Sequence, residues 1–214
     1  MIIFLFGIPG CGKSEVYRRL TARLKKDGLY KEFPRVDDFP KLWDIFKKDE
    51  KSGNWDRCRP TKDGGYKVTD ETVWDDILKE VNKDVLKMKK NTGDDTLIFI
   101  EFSRPNYVHS IKENFSQEVL KDSSVVYLDV PFDICWERNV RRHEQALDEG
   151  SDDHLVSREE MEETYGSDDK NDLKEKLNIP VIFISPDARD ENDFEKLNKC
   201  VDKVYKFIKE RATN

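Results

Sequence analysis

Gly7-Ile8-Pro9-Gly10-Cys11-Gly12-Lys13-Ser14 fits the spacing G-x-x-x-x-G-K-[ST] at every fixed position. The flanks supply the context that this spacing needs. The apolar run Ile2-Ile3-Phe4-Leu5-Phe6 before it has strand composition, and Val16, Leu20 and Leu24 after it recur four residues apart, on one helix face. A strand, a glycine-rich turn and a helix N-terminus make a phosphate cradle. The glycines let backbone N–H groups turn toward one anion, and the helix dipole adds positive potential there. In such a cradle Lys13 reaches the β- and γ-phosphates of a nucleotide, and the Ser14 hydroxyl holds Mg²⁺. Gly7, Pro9, Gly10, Cys11, Gly12, Lys13, Ser14 and Glu15 are therefore the expected nucleotide-binding residues.

The 214 residues suffice for one core with a small insertion, and we expect a single domain over 1–214. Charged residues make up 39% and apolar residues 36%, which predicts a heavily solvated surface. No apolar run approaches the roughly 18 residues of a membrane span, so no membrane partner is expected. The N-terminus enters a strand at once, with no basic region or cleavage site, and a secretory signal is not expected. Cys11, Cys58, Cys135 and Cys200 form neither a zinc pattern nor a disulfide framework, which suits a reducing cytoplasm. Cys11 is expected in its loop for its small size; the alternative is a redox role, since a helix N-terminus lowers a thiol pKa. His109, His143 and His154 show no metal-ligand spacing and read as surface residues. The net charge of −7 argues against broad affinity for nucleic acid.

Five segments read as strands: 2–6, 33–36, 97–101, 125–129 and 181–184. Most are short continuous apolar runs, as in strands covered on both faces. Helical patterns separate them. In 69–90, Thr69 is the expected cap, Asp70 and Glu71 lie in the first turn, Lys87, Lys89 and Lys90 lie in the last, and Val73, Ile77, Val81 and Val85 form the buried stripe. The C-terminal stretch has Phe194, Leu197, Val201, Val204, Tyr205 and Ile208 at helical spacing. This alternation predicts an α/β fold, a parallel sheet with helices on both faces. Two segments interrupt it. Residues 50–68 are rich in turn formers and read as an insertion or substrate-side loop; 144–169 are strongly acidic and read as part of a lid spanning 132–169, or as a solvated flap.

Ligands of such sheets bind at the carboxyl ends of the strands. Asp37 and Asp38 end the second strand. One is expected to act as base toward an attacking hydroxyl and the other to cap the next helix, with Asp37 assigned as the base. Both are expected to contact substrate. The third strand ends in Glu101, which resembles a Walker B carboxylate and joins Ser14 as an expected Mg²⁺ ligand. Arg104, just after it, reads as a binder of an anionic substrate or as a surface charge. After the fourth strand, Arg138, Arg141 and Arg142 share one helix face. Arg138 and Arg142 are expected to contact ATP phosphates, Arg138 catalytically. Ser185-Pro186-Asp187, after the fifth strand, is placed against the adenine ring.

With Asp37-Asp38 and Cys135-Trp136-Glu137-Arg138-Asn139-Val140-Arg141-Arg142, the glycine-rich octet resembles, in order and kind, the small P-loop kinases of the polynucleotide-kinase, phosphoseryl-tRNA-kinase and zeta-toxin group. The resemblance implies a nucleoside-monophosphate-kinase-like fold, a three-layer arrangement with sheet order 2-3-1-4-5 and a lid. It also implies ATP with Mg²⁺ as donor, Asp37 as base and Arg138 as lid arginine. Polynucleotide kinases usually carry an arginine two residues after the Asp-Asp; here that place is Pro40, with Lys41 next, which argues against a 5′-hydroxyl polynucleotide acceptor.

Three readings follow. The first is a MgATP-dependent phosphotransferase acting on a hydroxyl or phosphate of a small molecule or nucleotide. The second is an RNA- or tRNA-end kinase, in which Arg57, Arg59, Lys62 and Lys67, with Trp55 and Tyr66 among them, grip a strand; the net negative charge weighs against it. The third is a regulatory P-loop NTPase. Neither fold nor motif names the phosphate acceptor.

Overall fold

Alternation along the first strand, β1 (Ile2–Phe6), sets up the layers. Ile2, Phe4 and Phe6 enter one core and Ile3 and Leu5 another, as a side-chain period of two requires. The computed structural model describes residues 1–62, 65–149, 155–186 and 194–212. Along the chain β1 is followed by α1 (Lys13–Lys26), β2 (Arg35–Asp37), α2 (Phe39–Ser52), the short strands β3 (Cys58–Pro60) and β4 (Tyr66–Val68), and α3 (Thr72–Asn91). Then come β5 (Ile98–Glu101), α4 (Tyr107–Asn114), α5 (Gln117–Leu120), β6 (Ser123–Leu128), α6 (Phe132–Asp148), α7 (Arg158–Tyr165), α8 (Leu173–Lys176), β7 (Val181–Ile184) and α9 (Phe194–Ala212).

The main sheet is parallel, in the order β2-β5-β1-β6-β7. β3 and β4 pair only with each other, as an antiparallel hairpin. Counted without them, the sheet has the expected 2-3-1-4-5 order. Val16, Leu20 and Leu24 of α1 and Val201, Val204 and Ile208 of α9 pack on the Ile3 and Leu5 face. Arg23 joins those two helices, pairing with Asp202 and lying 4.2 Å from the centroid of the Tyr205 ring. Val73, Ile77, Val81 and Val85 of α3, with Tyr107 and Ile111 of α4, cover the Phe4 face. Each such side chain contributes roughly 1.5–3 kcal/mol on burial. Among the described residues no helix is long and apolar enough to cross a membrane.

Four local expectations change. β2 begins at Arg35 rather than at 33, because Pro34 has no N–H to give to a ladder; its carbonyl instead accepts from Phe99 N at 2.8 Å. Helix α3 begins at Thr72 and not at 69. Thr69 N is held by the Arg57 carbonyl, and the capping oxygen is Asp70 Oδ1, which accepts from Thr72 N at 3.0 Å. The 50–68 segment is not one loop. Residues 50–52 finish α2, and the hairpin follows, tied back by Asp49 Oδ2, which accepts from the Arg57 and Cys58 backbone at 2.9 and 3.1 Å. The acidic stretch contains α7, whose cap is Ser157, accepting from Glu160 N. His154 and Asp187, and the side chain of Phe194, lie outside the described residues.

Candidate active site

The parallel register does the first work of assembly. Leu5 pairs with Glu101, and Asp37 also pairs with Glu101, so the glycine-rich loop after β1 starts beside two carboxylates at the strand ends. The loop must curl tightly. Gly7 and Gly10 have φ of 138° and 81°, and a Cβ on Gly10 would lie 2.2 Å from the Cys135 carbonyl oxygen of α6. Lys13, only 8% exposed, folds back into this loop. Its Nζ donates to the Gly7 carbonyl at 2.8 Å, the Ile8 carbonyl at 3.3 Å and Ser103 Oγ at 3.1 Å. Burial works against the charged ammonium, but the Cys11 sulfur and the Glu101, Asp37 and Asp38 carboxyls outweigh it, so its pKa lies above the ordinary lysine value. Burial pushes the Cys11 thiol up, opposite to what the redox alternative needs.

The two aspartates divide their work. Asp37 Oδ1 accepts from Phe39 N at 2.9 Å, and Oδ2 pairs with Arg35 at 2.8 Å. The helix-capping contact thus falls on Asp37. Asp38 occupies the N-cap position of α2 but makes no capping bond. Its carboxylate turns inward to Arg104 Nη1 at 2.7 Å. Burial pushes the Asp38 carboxyl up to about 6, aided by Asp37 and opposed by Arg104.

Arg35, which sequence reasoning passed over, also lies 3.3 Å from Glu101 Oε2 and 3.4 Å from Ser14 Oγ. Glu101 Oε2 is buried and makes no hydrogen bond, and burial raises the pKa of its carboxyl. Among the described residues no three acidic, His or Cys groups form a ready metal cage. Mg²⁺ in nucleotide sites takes few protein ligands and fills its shell with phosphate and water. The Ser14 hydroxyl and a buried Glu101 oxygen that faces Arg35 without a hydrogen bond lie beside the loop and fit that ion.

Arg104 is not a surface charge: it is 1% exposed. Its guanidinium carbon lies 4.3 Å from the Trp74 ring centroid, and Nη1 also donates to the Ser103 carbonyl at 2.6 Å. On the far side, Arg138 of α6 donates to the Cys11 carbonyl at 3.4 Å and the Pro186 carbonyl at 3.2 Å. Arg142 Nη2 lies 3.5 Å from Asn139 Oδ1. Glu15 borders the cleft, but its carboxylate pairs with Arg18 and Arg19 at 2.7 and 2.5 Å.

Pro9, Gly10, Gly12, Lys13 and Ser14 of the loop, with Arg35, Asp37, Asp38, Glu101, Arg104, Arg138 and Arg142, face one cleft of about 510 Å³, whose other wall is Phe39, Leu42, Phe46, Tyr66, Val156, Glu160 and Tyr165; Gly7 and the buried Cys11 lie behind it. Tyr66 stacks on Phe46 at 4.8 Å. The hairpin that carries it is clasped to α7 by Arg59 to Glu159 and by Lys67 to Glu159 and Glu163. Arg57 pairs with Asp70 and Asp76. Three of the four cations proposed to grip a nucleic-acid strand are thus engaged with acids of this chain. Burial carries the Glu160 carboxyl to about 7; the nearby Thr164 hydroxyl opposes the shift without reaching hydrogen-bond geometry. The signal that could have found Glu160 is Ser157-x-x-Glu160, a helix-start pattern whose glutamate here turns into the cleft.

No protein-family model matches the chain, and no curated protein does. Solved structures do. A sugar kinase from Janibacter sp. HTCC2649 aligns over 97% of this chain and 94% of its own, at 11% identity and a TM-score of 0.54. Kti12 from Chaetomium thermophilum, solved in complex with ADP-AlF3, aligns over 96% and 98%, at 16% identity and a TM-score of 0.50. At such identities the likeness is one of fold: a five-stranded parallel sheet flanked by helices, shared over 96–97% of this chain.

Proposed function

We propose that this protein is a MgATP-dependent kinase that moves the γ-phosphoryl group to a hydroxyl of a small molecule. One observation carries the reading: the Lys13 loop and the Asp38–Arg104 pair line the same cleft. A switch NTPase needs to position a water, but it has no use for a second, walled half-cleft with its own buried ion pair.

Lys13 exchanges the Gly7 and Ile8 carbonyls for β- and γ-phosphate oxygens, with the loop N–H groups around them. Ser14 and Glu101 would hold Mg²⁺, which when bound neutralises charge on the β- and γ-phosphates. Asp37, held by Phe39 N and Arg35, keeps the carboxylate cluster in place beside that ion. Asp38 is the base. Its pKa of about 6 leaves it ionised at neutral pH yet basic enough to take a hydroxyl proton. As the acceptor oxygen bonds to the γ-phosphorus, its proton passes to Asp38, the bridging P–O bond breaks and ADP leaves. Arg138 and Arg142 on α6 stabilise the charge that spreads over the transferring group. Residues 132–169 act as the lid, and amide exchange in α7 should slow when MgADP binds; unchanged exchange there would remove the lid from this account.

Transfer from γ-labelled ATP to pooled nucleosides, nucleoside monophosphates, sugars and hydroxy acids, with released phosphate counted alongside, tests the reading. Label in one pool supports it. Phosphate release that never yields a labelled acceptor, and that Asp38→Asn leaves unchanged, would replace it with the NTPase reading.

A further inference from the structure

Arg104 has more donors than the fold uses. Nη1 serves Asp38 and the Ser103 carbonyl. Nε and Nη2 are buried and hydrogen-bond nothing among the described residues. These two nitrogens share one edge of the planar guanidinium, the edge that makes paired N–H···O bonds to a carboxylate or phosphate. An unmet buried N–H is costly, and more so on a charged group, so an orphaned pair calls for an occupant. The surroundings hold the fork in place: Trp74 lies 4.3 Å away against the guanidinium, and Asp38 fixes its opposite edge. Arg104 lines the cleft together with Phe39, Leu42, Phe46 and Tyr66, an apolar and largely aromatic wall.

We infer that the acceptor carries an oxyanion, a carboxylate or a phosphate, which the Nε–Nη2 edge of Arg104 grips through two parallel bonds, with an apolar ring of the acceptor against the Phe39–Phe46–Tyr66 wall. The grip sets the acceptor beside Asp38, because one guanidinium holds both. This inference rests on the kinase reading above and names the class of its acceptor.

The test uses the full chain saturated with MgADP, so that the phosphate loop is filled and cannot capture the probe. Phenyl phosphate, benzoate and the neutral benzyl alcohol are titrated separately, followed by calorimetry and by the NMR signal of the Arg104 Nε–H. At least one anion should bind and move that signal, and comparison of the two tells phosphate from carboxylate. Benzyl alcohol should bind at least tenfold more weakly. Arg104→Lys keeps the charge but loses the fork, and should weaken the anion about tenfold or more while MgADP affinity holds. Anions that bind no better than benzyl alcohol, or that saturate without moving the Nε–H signal of the wild-type protein, would overturn the inference and leave the kinase reading standing. Failure of MgADP itself to bind would overturn the kinase reading, and this one with it. The wild-type spectrum decides the matter even if Arg104→Lys does not fold.

Discussion

On the phosphate-loop side of the cleft, Lys13 is held by the Gly7 and Ile8 carbonyls and by Ser103, and the shape comes from glycine backbone. On the Arg104 side the walls are side chains from α2, β4, α7 and the segment after β5. The first half is a backbone device, indifferent to most of what lies around it. The second is a packing device, in which Asp38, Arg104 and Trp74 hold one another. Because one half rests on backbone and the other on side chains, the Arg104 side can change without disturbing the cradle.

The sharpest way to break this comparison is Asp38→Asn. Loss of a positioned base costs about 10²–10⁴ in rate, so transfer should collapse while MgADP still binds. Asp37→Asn, whose carboxylate caps α2 and meets Arg35, should lose less; equal losses from the two would return the base to Asp37. Lys13→Ala comes next, with about 10²–10³ lost from transfer and nucleotide affinity falling with it.

Gly10→Ala probes the backbone device. A Cβ 2.2 Å from the Cys135 oxygen, at φ of 81°, should lower stability by about 1–3 kcal/mol in chemical denaturation. A neutral result would mean that α6 yields easily.

The pH profile separates the halves more gently. Transfer should fall about tenfold per pH unit once pH drops below about 6, where Asp38 takes up its proton. Stability runs the other way for this group. Its folded pKa exceeds the ordinary 3.8, so its contribution favours the fold most below 3.8 and is lost as pH rises through about 6. A transfer rate flat from pH 5 to 7 would remove Asp38 from the proton's path. Smallest is Glu159→Gln, which loosens the hairpin clasp. Glu159 and its partners are solvent-screened, so only a marginal shift of the denaturation midpoint is expected, and that only at low salt.

The same division governs what could be read from the chain. Residues 7–14 are contiguous and their geometry is a property of glycine and of a helix start, so the cradle was visible in the letters. The five main strands were visible as apolar runs, and their order came with the motif group that the chain resembles. The Arg104 half was only partly visible. Asp38 and Arg104 were marked, but their pairing is a contact between α2 and the segment after β5 that no local pattern encodes. Which aspartate caps α2 depended on backbone torsions of one residue, and the choice came out reversed. The β3–β4 hairpin was hidden because Cys58-Arg59-Pro60 and Tyr66-Lys67-Val68 are too short to show a period; its stability comes from Asp49 and from Tyr66 against Phe46. Glu160 looked like any of its acidic neighbours until packing turned it inward.

The most direct test of the divided cleft is calorimetric titration of MgADP into three proteins: wild type, Lys13→Ala and Asp38→Asn. The account predicts that Asp38→Asn binds within about twofold of wild type, while Lys13→Ala loses a charge-assisted phosphate contact and about tenfold or more in affinity. If Asp38→Asn weakens MgADP as much as Lys13→Ala does, the acceptor half is part of the nucleotide site and the division proposed for the cleft is wrong.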